Sequence, residues 1–127
     1  MRILIADHTT DLRKFEPGLA QIGHEVRVAI DGLAAFRLAR EWPPELVLAR
    51  VDLPRMDGLA LVAALQALGQ TRPGALTLAG PDGDLRSRTR AQQLGVESYL
   101  SLPVEEMDLV RAVWRAGCSP SSDTSGR

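Results

Sequence analysis

The stretch that decides the fold of this chain is Leu46-Val47-Leu48-Ala49-Arg50-Val51-Asp52-Leu53-Pro54-Arg55-Met56-Asp57-Gly58. It opens with four consecutive apolar residues, a pattern typical of a strand that is covered on both faces of a parallel sheet. Pro54 and Gly58 then mark a loop, and helical periodicity follows from Leu59 to Leu68. The stretch therefore predicts a strand, loop and helix unit with Arg50 at the carboxyl end of the strand.

The same alternation of strand and helix recurs along the rest of the chain. We predict strands at residues 3–6, 25–28, 46–49, 75–79 and 98–101, and helices at residues 10–22, 33–41, 59–68, 85–94 and 105–116. Residues 25–28 alternate between apolar and polar side chains, so this strand is expected at an edge. Five such units predict an α/β fold, a doubly wound parallel sheet with helices on both faces.

Two helices carry apolar stripes at helical spacing. The third predicted helix has Leu61, Val62, Leu65 and Leu68, and the fifth has Met107, Val110, Val113 and Trp114. Residues at these spacings share one helix face, so both stripes are predicted to pack against the sheet.

Pro17 interrupts the first predicted helix, because proline removes one backbone hydrogen bond and clashes with the preceding turn. Two arrangements fit: the helix kinks at Pro17, or its regular part starts near Phe15 with Pro17 in the first turn. We favour the kink, because Leu12, Phe15, Leu19 and Ile22 keep one apolar face across the break.

Composition predicts one small soluble domain over residues 1–117, followed by a Ser- and Pro-rich tail or linker over residues 118–127. No apolar run approaches the ~20 residues that span a bilayer, and the start of the chain has no signal-like segment, so we expect a cytoplasmic protein without a membrane partner. The net charge of −1 gives no drive toward nucleic acid. Cys118 is the single cysteine and is read as an incidental thiol.

The chain resembles the receiver domain of bacterial response regulators over residues 1 to about 116. The matching motifs are Ile3-Leu4-Ile5-Ala6-Asp7, the loop from Leu53 to Gly58, and Gly95 with Tyr99-Leu100-Ser101-Leu102-Pro103. The resemblance implies a CheY-like, flavodoxin-like sheet of strand order 2-1-3-4-5 with five helices. It also implies a signalling role in a two-component system.

The residues that carry receiver chemistry are largely replaced. A typical receiver has two acids after the first strand, an acceptor aspartate after the third, a hydroxyl residue after the fourth and a lysine before proline after the fifth. Here the matching positions hold Asp7 and His8, Arg50, Ala79, and Leu102 before Pro103. A guanidinium has no nucleophilic oxygen and stays protonated. We therefore predict a degenerate pseudo-receiver that takes no phosphoryl group and is not an enzyme.

Magnesium is also unexpected at this pocket, because it is usually held by one or two carboxylates with waters, and here Asp7 faces a cation at Arg50. Asp7 is a weak metal candidate, and His8 beside it lacks a third ligand. One alternative is a conventional phospho-accepting receiver in which Asp52 serves as a displaced acceptor. That alternative misaligns the Leu53 to Gly58 loop and leaves the hydroxyl and lysine missing. A solvated carboxylate is the simpler interpretation of Asp52.

A nucleotide-binding enzyme of similar topology is the other class considered. It would need a glycine-rich phosphate loop after the first strand, which Asp7-His8-Thr9-Thr10 does not provide. The chain is therefore interpreted as an interaction module that binds a protein partner or an effector domain independently of phosphorylation. The resemblance implies that partners dock on the fourth helix, fifth strand and fifth helix, which would also be the face of any homodimer. Its candidate residues are Arg86, Arg88, Arg90, Tyr99, Glu105 and Glu106.

Two structural details follow for the pocket. Arg50 is predicted to turn inward and pair with Asp7, with Asp57 or Asp52 as a second partner, since an unpaired charge there would be costly. The Leu102–Pro103 peptide bond is expected to be cis, as the resemblance implies for this loop. Tyr99 is expected to hold one fixed rotamer, because position 79 carries no hydroxyl for it to follow.

Overall fold

Five parallel strands form a single sheet in the order β2-β1-β3-β4-β5. The computed structural model describes residues 1–68, 75–96 and 98–117. The strands are β1 (Arg2–Ala6), β2 (Glu25–Ala29), β3 (Leu46–Arg50), β4 (Ala75–Pro81) and β5 (Ser98–Leu102). Every neighbouring pair is parallel, so the predicted doubly wound sheet and its strand order are confirmed.

The helices cover both faces of the sheet. They are α1 (Glu16–Gln21), α2 (Gly32–Glu41), α3 (Gly58–Leu68), α4 (Leu85–Gln93) and α5 (Glu106–Gly117). Alternate side chains of the central strands point to opposite faces. Leu4 and Val47 therefore join the core under α2, α3 and α4, whereas Ile3 and Leu48 join the core under α1 and α5. Within the described residues, no helix is long and apolar enough to cross a membrane.

Aspartate side chains start three of these helices. Asp31, Asp57 and Asp84 accept hydrogen bonds from the backbone N–H groups of Ala34, Ala60 and Ser87, at 2.7, 2.8 and 3.1 Å. Such caps satisfy N–H groups that have no partner inside the helix. Asp57 is therefore used at the start of α3, and it does not serve as the partner of Arg50 that the sequence suggested.

The first helix differs from the prediction. Residues 13–15 form a 3-10 turn, and the α-helix begins at Glu16 with Pro17 in its first turn. Proline is tolerated there because the N–H groups of a first turn have no partner inside the helix. The predicted kink was wrong, and the alternative of a late helix start is correct.

The two predicted apolar stripes have opposite outcomes. On α3, Leu61, Val62 and Leu65 are buried and Leu68 packs against the same core, as predicted. On α5 the side chains facing the sheet are Leu109, Ala112 and Ala116, while Met107, Val110 and Trp114 are exposed. The helix is apolar on two adjoining stripes, and the stripe with alanines lies against the sheet because small side chains permit close packing. The prediction for Met107, Val110 and Trp114 was therefore wrong, and only Val113 of that set packs against the core.

Candidate functional site

The carboxyl ends of β1, β3 and β4 meet at one edge of the sheet, beside the point where strand order reverses. In folds of this type ligands bind at that edge. Asp7 directly follows β1, Arg50 ends β3, and Ala79 of β4 is paired in register with Arg50. The sequence-predicted pocket residues Asp7, Arg50 and Ala79 are thus brought together.

Asp7 is fully buried and is held by hydrogen bonds from the loop that follows it. Its Oδ1 accepts from the Thr9 N–H at 2.8 Å and the Thr9 hydroxyl at 2.7 Å. Its Oδ2 accepts from the backbone N–H groups of Leu12 and Arg13, at 2.7 and 3.4 Å. Burial acts to raise the pKa of Asp7, but these donors outweigh it and hold the pKa below its ordinary value. The carboxylate is therefore charged at neutral pH and well supplied with donors.

Arg50 points into the pocket and forms a bidentate ion pair with Asp52. Its Nε and Nη2 donate to Oδ1 and Oδ2 of Asp52 at 2.8 and 3.1 Å. Its Nη1 donates to the carboxylate of Asp11 and, at 3.3 Å, to the Thr9 hydroxyl. Asp7 is farther away, with 3.9 Å between its Oδ1 and the Arg50 Nε. The prediction that Arg50 turns inward is confirmed, but Asp7 is not its main partner.

Asp7 already accepts hydrogen bonds from four donors, whereas Asp52 and Asp11 accept their side-chain hydrogen bonds from Arg50. Asp11 had not been singled out from the sequence, because the predicted first helix began at Thr10 and placed Asp11 in its first turn. The residue lies instead in the loop before the 3-10 turn. Its position four residues after Asp7 was the only signal for it.

The pocket holds one guanidinium among three carboxylates, those of Asp7, Asp11 and Asp52. The hydrogen bond to Asp52 is the main cause that raises the pKa of Arg50. The same hydrogen bond lowers the pKa of Asp52 despite partial burial. The charges of Arg50, Asp7 and Asp52 are consequently fixed across the pH range of a cell.

The remaining pocket positions are apolar or lie at the rim. Ala79 is buried in β4 and offers no hydroxyl. Leu102 ends β5 and packs against the core under α1 and α5. The Leu102–Pro103 peptide bond is cis, as predicted. His8 is exposed, and it is the smallest of the causes that lower the pKa of Asp52.

Tyr99 on β5 turns inward, and Gly80 on β4 provides the space for its hydroxyl. A Cβ built on Gly80 would overlap the Tyr99 Oη and approach the Val51 Cγ2 to 2.9 Å. Among the described residues, this hydroxyl is the one buried side-chain polar atom without a hydrogen-bond partner. Burial is the largest cause that raises the pKa of Tyr99. The absence of a side chain at position 80 was a signal for this inward position that the sequence reading did not use.

Arg88 holds the outer side of the Tyr99 ring. Its guanidinium carbon lies 4.6 Å from the ring centroid, and its Nη2 donates to the Ser101 hydroxyl at 3.2 Å. This arginine therefore has a packing role that the sequence did not suggest. Arg86 and Arg90 on α4 are exposed, as are Glu105 and Glu106 at the start of α5.

The fold agrees with comparisons to known proteins. The family profile described as "Response regulator receiver domain" matches residues 3–114. The chain belongs to this family of two-component signalling domains. It is similar to the transcriptional regulatory protein PrrA of Mycobacterium leprae (strain TN), with 34% identity over 113 residues, covering 88% of this chain and 48% of PrrA.

Another relative is the transcriptional regulatory protein TctD of Salmonella typhimurium (strain SL1344), 34% identical over 119 residues that cover 91% of this chain and 52% of TctD. The chain thus spans about half the length of these curated relatives. Among solved structures, the chemotaxis response regulator CheY4 of Vibrio cholerae superposes with a TM-score of 0.81 at 21% identity, covering 91% of this chain and 97% of CheY4. At that identity the likeness concerns the fold.

Proposed function

We propose that this receiver domain signals by binding a protein partner and takes up no phosphoryl group. The observation that carries the proposal is the position of Arg50. Arg50 is the last residue of β3, the position where the receiver pattern places the acceptor aspartate. Its guanidinium donates hydrogen bonds to the carboxylates of Asp52 and Asp11. A phosphoryl acceptor must present a nucleophilic oxygen, which arginine lacks.

The groups that would hold a transferring phosphoryl group are missing as well. Transfer requires donors and cations aimed at the phosphoryl oxygens. Ala79 offers no hydroxyl and Leu102 no ammonium, while the single cation of the pocket already has carboxylate partners. Asp52 is the candidate for a displaced acceptor, and both of its oxygens accept hydrogen bonds from Arg50. We therefore propose that the domain has no enzymatic activity.

The donor set at the pocket also does not suit a magnesium ion. Magnesium requires oxygen ligands in near-octahedral geometry. Both oxygens of Asp7 already accept hydrogen bonds, and the Arg50 Nε lies 3.9 Å from Oδ1, where a second cation would be repelled. The part of the chain that the structure describes has no group of three or more His, Cys, Asp or Glu side chains placed to hold a metal. These contacts support a domain that works without a metal cofactor.

The surface formed by α4, β5 and α5 is the proposed site for the partner. Arg86 and Arg90 are exposed on α4, and Arg88 of the same helix covers the Tyr99 ring. Aromatic and arginine side chains are enriched among the residues that dominate interface energies. We propose that the partner is an acidic protein surface or effector domain in the cytoplasm, and that the domain contacts neither nucleic acid nor membrane directly. Glu105 and Glu106 at the rim would favour one orientation of that partner.

Phosphoryl transfer is tested by incubating the protein with acetyl phosphate and Mg²⁺, or with a phosphorylated histidine kinase, and measuring the intact mass. We expect no increase. A phosphorylatable receiver treated in parallel verifies the donor, and Asp52→Ala provides the matched variant. An added phosphoryl group that disappears in Asp52→Ala would replace this proposal with the displaced-acceptor alternative.

Partner binding is tested by capture from the native cell on the immobilised domain. The double variant Arg86→Glu, Arg90→Glu should lose the specific partner. The matched control is Arg37→Glu, Arg40→Glu, which reverses the same charge on the exposed side of α2. Retention of the partner by the α4 variant, with loss on changing Lys14 beside α1, would show that the wrong face had been chosen.

A further inference from the structure

The structure leaves four large apolar side chains exposed on and beside α5. Ile22 at the end of α1 is 71% exposed, and Met107, Val110 and Trp114 on α5 are 59%, 49% and 72% exposed. The three α5 residues recur at i, i+3 and i+7, so they share one helix face. We refer to these four residues as the α1–α5 patch. Contiguous exposed apolar surface of this kind marks an interaction site.

A groove between α1 and α5 continues this patch toward the sheet. Its volume is about 400 Å³, and Ile22 and Val110 of the patch form part of its walls. Gly18 lies in the α1 wall, and a Cβ built there would meet no atom within 4 Å. The groove therefore has a notch over Gly18 that a side chain from another molecule can enter.

The charges at this groove are balanced. Lys14 lines the α1 side and Glu106 lines the α5 side. Lys14 is the one lysine of the chain, and its Nζ lies 5.2 Å from the centroid of the Phe15 ring, over apolar surface. The α4 side differs, because Arg86 and Arg90 are both exposed there. A basic surface repels a copy of itself, whereas a surface with one cation on one wall and one anion on the other complements itself.

We propose that the α1–α5 patch binds a second copy of this chain, forming a two-fold symmetric dimer. Both helices start at the carboxyl edge of the parallel sheet and run in the same direction. A two-fold axis parallel to them therefore sets α1 of each copy against α5 of the other, at the same height. In such an isologous interface every contact occurs twice. Lys14 of each copy then meets Glu106 of the other, and the Trp114 side chains lie in the apolar centre.

This assignment does not depend on the absence of phosphoryl transfer, and it leaves Arg86 and Arg90 on α4 free for a different partner. The charges that line the groove indicate which kind of partner it binds. A strongly basic or acidic partner would be matched by a groove lined with charges of one sign, whereas this groove is lined by one cation, Lys14, and one anion, Glu106.

Sedimentation equilibrium of the 127-residue chain over a range of concentrations tests the proposal. We expect a reversible monomer–dimer equilibrium. Trp114→Ala should raise the Kd by about 30-fold or more, as expected for a tryptophan at the centre of an interface. Arg86→Glu with Arg90→Glu should leave the Kd unchanged. Circular dichroism and the melting temperature verify that each variant is folded.

The charge pair allows a sharper test. Lys14→Glu places two carboxylates at each of the two symmetry-related contacts, and Glu106→Lys places two ammonium groups at each, so each variant alone should dimerise about tenfold more weakly. In an equimolar mixture of the two variants, a heterodimer has one pair of opposite charges at each of the two contacts. This heterodimer should form with a Kd within about threefold of the unmodified dimer.

Three results would overturn the assignment. The first is a chain that stays monomeric at all concentrations. The second is a dimer that survives Trp114→Ala and dissociates on reversal of the α4 arginines, which would move self-association to the α4–β5–α5 surface. The third is a mixture of the charge variants that associates no better than either variant alone, since Lys14 would then not meet Glu106.

Discussion

Replacing Arg50 by methionine tests what the guanidinium contributes to the fold. Methionine keeps an unbranched side chain of similar length at the end of β3 and removes the charge. The change leaves Asp7, Asp11 and Asp52 close together without a cation. We expect a folded but clearly less stable protein, because removing one partner of a buried ion pair leaves uncompensated charge.

The expected loss in the free energy of unfolding follows from the exposure of the three carboxylates. Breaking a buried pair costs about 3–5 kcal/mol. The side chains of Asp11 and Asp52 are 42% and 53% exposed, so water can reach both. Asp7 is buried but keeps its four hydrogen-bond donors. The loss should therefore lie near the low end, about 3 kcal/mol, which for a domain of this size lowers the melting temperature by roughly 10–15 °C.

The pH dependence of this loss has a definite sign. Arg50 holds the pKa of Asp52 below its ordinary value of 3.8 in the folded protein. Stability from such a depressed carboxyl is fully present above its unfolded pKa and is lost as pH falls through the folded pKa. The difference in the free energy of unfolding between the two proteins should thus be constant near neutral pH and shrink below about pH 4.

Urea unfolding at pH 7, 5 and 3.5, followed by far-ultraviolet circular dichroism, measures this difference. Arg111→Met is the control, because Arg111 is an exposed arginine whose pair with Asp108, at 3.6 Å, lies on the surface. Surface pairs contribute about 0–1 kcal/mol. An Arg50→Met protein within about 0.5 kcal/mol of the unmodified one, or a difference that grows in acid, would refute the account of the pocket.

Three further predictions concern the surroundings of the pocket. Tyr99→Phe should leave the free energy of unfolding in urea unchanged or raise it by up to about 1 kcal/mol, because the buried hydroxyl has no partner to lose; a loss above that size would mean that the hydroxyl is bonded in solution. Gly80→Ala should destabilise by about 1–3 kcal/mol in the same assay, since its Cβ overlaps Tyr99, and combining it with Tyr99→Leu should recover part of the loss. Asp57→Ala should lower the free energy of unfolding by about 0.5–2 kcal/mol, because the Ala60 N–H loses its acceptor. Asp57→Asn should retain most of that stability, since its side-chain oxygen can still accept the hydrogen bond. Equal losses in the two variants would argue against a capping role.

The sheet was predictable because the pattern of apolar residues in each strand indicates how far that strand is buried. Residues 3–6, 46–49 and 75–79 are nearly continuous apolar runs, and residues 25–28 alternate, which separated the central strands from the edge strand β2. Periodicity was less decisive for α5, where two adjoining stripes are both apolar. A pattern of hydrophobicity does not say which stripe packs closer, and the bulkier set was wrongly assigned to the core.

The candidate site was predictable in its location and only partly in its contacts. The alignment of Arg50 with the end of β3 follows from the strand and loop pattern, and the structure bears out its inward direction. Its partners depend on the path of the loop between Asp7 and the 3-10 turn, which brings Asp11 back toward the pocket. That path is set by backbone hydrogen bonds to Asp7, and no local sequence pattern encodes the resulting distances.

The fixed charges of the pocket imply where regulation can act. Arg50 has a raised pKa, whereas Asp7 and Asp52 have lowered ones, so none of these three groups changes charge near neutral pH. A two-state switch needs a ligand or modification that favours one state over the other. Under the proposed function the pocket supplies none, and the signal would lie in which surfaces are occupied. A dimer through the α1–α5 patch would present two α4 surfaces at once, so a partner with two acidic sites would bind it with higher avidity than the monomer.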